Sequence, residues 1–174
     1  GKWPGVPIYT LTLEERATCP TDCSRWADCY SNNMRFTRRI SHHDSDKLCQ
    51  NIDRELSELL RMYQRVCLRL HVLGDFFSSE YVDFWHAMMI KHEGLLIFGF
   101  THWKRESEIG MRLQAMNVIW PERSWIRFSD QGGLMSANVE GEGIQCPEQT
   151  GKTKSCLTCG LCWSTDLPIR FKEH

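Results

Sequence analysis

In the middle of this chain, short segments rich in β-branched and aromatic residues take turns with longer ones whose apolar residues recur every three or four positions. This alternation narrows the fold more than any other feature of the sequence. Residues 6–13 (VPIYTLTL), 66–73, 95–101 and 125–129 read as strands, with a short further one near Ile144. Between them, residues 46–64 place Leu48, Ile52, Leu56, Leu59 and Tyr63 on one helical stripe. Ser79 is positioned to cap a second helix that buries Val82, Trp85 and Met89, and residues 106–116 read as a third. Strands separated by helices pair in parallel through right-handed crossovers, which predicts an α/β fold of βα repeats. About five strands are too few for an eightfold barrel, which takes about 250 residues, so the sheet is open or a partial barrel. Nothing in the composition divides residues 1–174, which read as one domain ending in a cysteine-rich loop.

Strand alternation then outlines a pocket. Along residues 66–73, Leu68, Leu70 and Val72 point one way, Cys67, Arg69 and His71 point the other, and Asp75 continues the second parity. In the next strand Leu96, Phe98 and Phe100 oppose Ile97, Gly99 and Thr101; in the one after, Ile126 and Phe128 oppose Trp125, Arg127 and Ser129. With the apolar sets packed under the helices, the other face gathers Arg69, His71, Asp75, Thr101, Arg127 and Ser129. A parallel sheet covered on both sides is apolar on both, so this partly polar face suits a concave, partly barrel-like sheet that holds a ligand. The positions lie near the C-terminal strand ends, where ligands bind in parallel α/β folds. Arg69 and Arg127 would bind an anionic group, Asp75 or His71 would act as acid or base, and Ser129 or Thr101 would orient the ligand. The plainer alternative is that these groups only satisfy one another. Ser129 lacks the G-x-S-x-G setting of a nucleophile elbow, which weakens a hydrolase reading.

Nine cysteines in 174 residues are the second anomaly. No apolar run is long enough to span a bilayer and no signal-peptide pattern opens the sequence, so a cytosolic, reducing location is expected. In such a compartment clustered cysteines usually hold metal. The formal net charge of -1 excludes the basic field of a general nucleic-acid or membrane-surface binder. A local basic run (Arg35, Arg38, Arg39) reads as a solvated face.

The sharper cysteine set is Cys146-Pro147 followed by Cys156-x2-Cys159-x2-Cys162. Tandem C-x2-C spacings converge three thiolates on one small object, and a remote cysteine followed by proline matches the ligand pattern of bacterial ferredoxins. Gly160 supplies a residue without a Cβ where the backbone turns. The second set, Cys19, Cys23 and Cys29, can hold three irons of a [4Fe–4S] cluster and leave the fourth open. These seven cysteines exceed one four-ligand site, so there are two centres, or one with spare thiols, or a mixed site with Cys19 as the Pro-followed remote ligand. Cys49 and Cys67 read as small buried hydrophobes. Tandem C-x2-C-x2-C favours a [4Fe–4S] cluster, with zinc as runner-up. Of the histidines, His42-His43 reads as surface, and His71 is the one that its parity singles out.

At CPTDCSRWADCY, LRLHVLGDFFSSEYVDFW, FGFTHW and CPEQTGKTKSCLTCGLCW the chain resembles a family of small phage and prophage proteins called gene product 88. The resemblance implies a phage origin and expression in the cytosol of the host. More distantly, a cysteine loop after the first strand and Gly74-Asp75 at the end of the next resemble a reduced radical S-adenosylmethionine fold. This sequence carries C-x5-C between Cys23 and Cys29 where that superfamily has C-x2-C. The expectation is a phage-encoded iron–sulfur protein with a polar pocket, acting on a small molecule as a metalloenzyme. The alternatives are a host-protein binder stapled by a cluster or zinc, and a hydrolase using the pocket.

Overall fold

A computed structural model describes residues 5–172 of the protein. Seven strands form one sheet: β1 (Ile8–Leu11), β2 (Val66–Leu70), β3 (Leu95–Thr101), β4 (Ser124–Ser129), β5 (Ser136–Asn138), β6 (Ile144–Gln145) and β7 (Ile169–Arg170). All neighbours pair in parallel, in the order β1-β2-β3-β4-β5-β7-β6. The sheet does not close: β1 and β6 are its two edges. Helices α1 (Ser45–Met62), α2 (Ser79–Lys91) and α3 (Glu108–Ile119) fill the three long crossovers, as the alternation of periods requires. A one-turn helix, α4 (Cys156–Cys159), lies in the cysteine-rich loop.

Each long helix starts on a side chain that accepts a backbone N–H of its first turn. Asp44 accepts from Lys47, Ser78 from Tyr81 and Ser107 from Gly110. Ser79 is therefore the first residue of α2 rather than its cap. On α1 the buried stripe is Leu48, Ile52 and Leu56, while Tyr63 lies beyond the helix and is exposed. Val82, Trp85 and Met89 of α2 are fully covered, as expected.

Burial occurs on both faces of the sheet. The helix-side core contains Leu68, Leu70, Ile97, Ile126 and Phe128. A smaller core on the opposite face joins Cys67, Leu96, Phe98 and Trp125 to Trp163. This corrects one expectation. Leu96 and Phe98 do not pack under the helices, because the register pairs Arg69 with Phe98 and Phe100 with Arg127 and so gives all four side chains one face. Strand β3 is apolar on both sides, and hydrophobicity alone does not tell its faces apart. Cys67 is buried and Cys49 packs against the larger core, in keeping with the hydrophobic role expected of them.

Candidate functional site

The C-terminal ends of the parallel strands open onto a cavity of about 320 Å³. Cys19, Cys23 and Cys29 line it from the loop after β1, His71 and Asp75 from the segment after β2, His102 from the end of β3, and Ser129 from the end of β4. Arg69 enters from within β2, and Phe171 and Lys172 follow β7. The three-cysteine set and four of the six predicted pocket residues thus share one space.

The other two do not line it. Thr101 shares the helix-side parity of Ile97, is fully buried, accepts the backbone N–H of Trp103, and supports Asp75 from behind through a side-chain hydrogen bond. Arg127 is also fully buried, but its guanidinium donates to the carbonyls of Cys162, Ser136, Leu167 and Thr165. Four of its five donors are taken up in this way, pinning the C-terminal loop to the sheet, and it does not line the cavity. His71 and Asp75 do face the cavity, although not through strand parity, because β2 ends at Leu70. His71 turns toward α2 and sets Nε2 3.1 Å from the Tyr81 hydroxyl.

Asp75 is the most constrained group in the cavity. Its two carboxylate oxygens accept the backbone N–H groups of Phe76 (2.8 Å) and His102 (2.9 Å), and its own N–H donates to Thr18 Oγ1. Burial outweighs these donors and pushes its carboxyl up to about 7. Burial acts in the opposite sense on the His71 imidazole, lowering it to about 3. Arg69 Nε and His71 Nδ1 are buried and have no protein hydrogen-bond partner. Tyr30, Arg25, Asp130 and Asn138 also line the cavity and were not singled out from sequence. Tyr30 beside Cys29, Arg25 two residues after Cys23 and Asp130 beside Ser129 carried a positional hint, and Asn138 carried none. Arg39 is not part of a free basic face, since its guanidinium makes a two-point contact with Glu15 at 2.9 and 2.8 Å.

These two shifts oppose each other as pH changes. Between the ordinary 3.8 of Asp75 and its folded value of about 7, the folded chain holds a proton that the unfolded chain has released, so this group lowers stability as pH rises. Between about 3 and the ordinary 6.5 of His71, the unfolded chain holds the extra proton, so that group raises stability as pH rises. Asp75→Asn removes the first effect and leaves the second. Urea unfolding of the reduced protein should show stability climbing by roughly 2 kcal/mol more in the variant than in wild type between about pH 4.5 and 6.5. Parallel pH curves for the two proteins would refute the raised carboxyl.

The four-cysteine set stands apart. Cys146, Cys156, Cys159 and Cys162 line a separate small hollow, closed by Pro147, Leu161, Trp163 and Ile169. The hollow shares no residue with the larger cavity. Helix α4 carries two of the thiols. Ser155 and Thr158 cap it reciprocally, and Gly160 ends it at φ +66, a conformation that favours glycine. Burial pushes the Cys162 thiol up to about 12 despite Arg127, and the charges of the other three cysteines add to that rise. The Cys19 thiol also rises to about 12, first through burial and then through Asp75, Cys23 and Cys29. Crowded thiols that oppose one another's ionisation are the donor set that a bound cation relieves. Cys19 belongs to its own cavity and not to the hollow of the four. A larger hollow of about 860 Å³ beside α3 is lined by none of the predicted site residues.

Among the described residues no helix is long and apolar enough to cross a membrane. No curated protein and no solved structure matches the chain, and the likeness to radical S-adenosylmethionine proteins finds no support there. The sequence does match the profile of one family, Gene product 88, over residues 2–133, a stretch that contains Cys19, Cys23, Cys29 and Asp75 and stops before Cys146. Since the match takes in well over half of the chain, the protein belongs to the Gene product 88 family.

Proposed function

We propose that this phage-family protein binds iron–sulfur clusters at two places and uses the polar cavity for a small-molecule substrate. Cys146, Cys156, Cys159 and Cys162 would hold a closed [4Fe–4S] cluster that fastens the C-terminal loop. Cys19, Cys23 and Cys29 would hold a second cluster by three thiolates, leaving its fourth iron without a protein cysteine. The observation that carries this reading is the sorting of the seven cysteines into two separately lined spaces, one with four thiols and one with three beside buried polar groups.

Sequence spacing favours a cluster over zinc, since tandem C-x2-C-x2-C is the more cluster-like pattern.

A cluster held by three thiolates supplies, when bound, an electron or a Lewis-acidic iron. The chain's own groups then have distinct tasks. Arg69, with an unpartnered Nε, offers a cation to an anionic group of the substrate. Asp75, held near neutrality, can keep or release a proton at its carboxyl. Phe100 and Phe171 pack edge to face at 5.6 Å and keep water from the wall on which they lie.

Anaerobic reconstitution with quantified iron and sulfide tests the assignment. Wild type should hold about eight irons per chain, and both Cys156→Ser/Cys159→Ser and Cys19→Ser/Cys23→Ser should hold about four. A colourless protein with zinc and no sulfide would sink the proposal. If removal of either pair abolished all iron, the two-centre arrangement would fail.

A further inference from the structure

Outside both cysteine sets, the chain brings one carboxylate and two imidazoles together. Thr12 accepts the backbone N–H of Ile40, and Leu13 and Ile40 form a parallel bridge just past the end of β1. This pairing sets Glu14 beside the segment that leads into α1. Glu14 Oε2 accepts the backbone N–H of His42 at 3.1 Å and lies 2.7 Å from His42 Nδ1. The His43 ring lies against that of His42, with centroids 4.6 Å apart. One donor atom from each of Glu14, His42 and His43 falls within 4.8 Å of the other two. Phe77 covers the outer side of His42 at 5.3 Å, and Glu14 and His42 are half-buried, while His43 is exposed.

We propose that Glu14, His42 and His43 form a binding site for a first-row divalent transition cation such as zinc, cobalt or nickel. Two imidazoles and one carboxylate select these metals over magnesium and calcium, which take oxygen ligands. Donors bound to one such ion at about 2.0–2.2 Å stand about 3 Å apart, so the His42–Glu14 pair needs little movement once its proton leaves. Three protein ligands leave further positions for water. The ion would join the base of the loop that carries Cys19, Cys23 and Cys29 to the start of α1. The connection continues inward: the Glu14 carbonyl accepts from the Thr18 hydroxyl (2.8 Å), and that hydroxyl accepts the Asp75 N–H (3.1 Å). The site does not depend on what the cysteines bind.

Cobalt serves as probe and reporter, with wild type, Glu14→Gln and His43→Ala compared. Gln keeps an acceptor for the His42 N–H, and His43 is exposed, so both variants should keep wild-type Tm without metal. Wild type should bind one cobalt more per chain than either variant, and that cobalt should show d–d bands without thiolate-to-metal charge transfer. Removing either ligand should weaken this site by more than about tenfold and abolish the accompanying rise in Tm. Equal cobalt content in wild type and both variants would leave an ion pair only and overturn the proposal. So would an extra cobalt whose spectrum is that of a thiolate complex.

Discussion

Gly99→Ala is expected to cost the fold about 3 kcal/mol of stability or more. A Cβ built at Gly99 would lie 1.5 Å from the Leu70 carbonyl oxygen and 2.6 Å from its carbon, with Ile126 Cδ1 at 3.4 Å on another side. The two nearest atoms are backbone, so no rotamer change relieves the contact. The chain leaves β2 at Leu70 by passing close over β3, and glycine on the helix-side parity of β3 makes that passage possible. The same passage delivers His71 to Tyr81 and Asp75 to the cavity. Overpacking of a well-filled core typically costs about 1–3 kcal/mol, and a fixed backbone obstacle belongs at or above the top of that range. Urea unfolding and soluble yield should both register the loss. A Gly99→Ala protein with wild-type stability would mean that the β2 exit runs differently.

Arg127→Met should be nearly as damaging, and it separates two roles for one residue. Its guanidinium is fully buried and is hydrogen-bonded to four carbonyls, three of them in the loop that holds Cys162, Thr165 and Leu167. Methionine fills similar space but leaves those acceptors unpaired, at about 1–3 kcal/mol for each one that stays buried. The expected loss is roughly 3 kcal/mol or more, together with faster proteolysis of residues 160–168. Arg127→Lys should rescue little, because one ammonium cannot span the directions that a planar guanidinium covers. If Arg127→Met kept full stability and lost only small-molecule binding, the residue would be a ligand contact after all.

Much of this architecture was legible in the sequence, for identifiable reasons. Strands β2, β3 and β4 are long, apolar and separated by amphipathic or capped helices, so their periods speak clearly. Strands β5 and β7 are Ser136–Asn138 and Ile169–Arg170, too short and too polar to announce themselves. Neighbouring strands bury them, through register that sequence does not display. The same limit explains Thr101. Alternation tells which residues share a face of one strand, but only the pairing between strands tells which faces coincide. Arg127 does share the face of Arg69, and what hides it is the C-terminal loop whose carbonyls take up its guanidinium. The two cysteine groups were visible because each is local in sequence. Their division into two spaces depended on the long-range course of the loops. Glu14, His42 and His43 were invisible as a set, because the bridge between Leu13 and Ile40 that unites them has no local signature.

From β1 to β5 the strands stand side by side in the order in which they are synthesised, and only β7 breaks the sequence by wedging between β5 and β6. Each new strand up to β5 therefore emerges next to a partner already laid down, which suits growth of the domain from its N-terminal side. The loop of Cys19, Cys23 and Cys29 and most of the cavity wall belong to that early part. The wall made by Phe171 and Lys172 arrives with the final strand, just after the residues that carry Cys156, Cys159 and Cys162. One short segment thus serves both spaces: Ile169 closes the four-thiol hollow while Phe171 and Lys172 wall the cavity, so a disturbance of either is felt by the other.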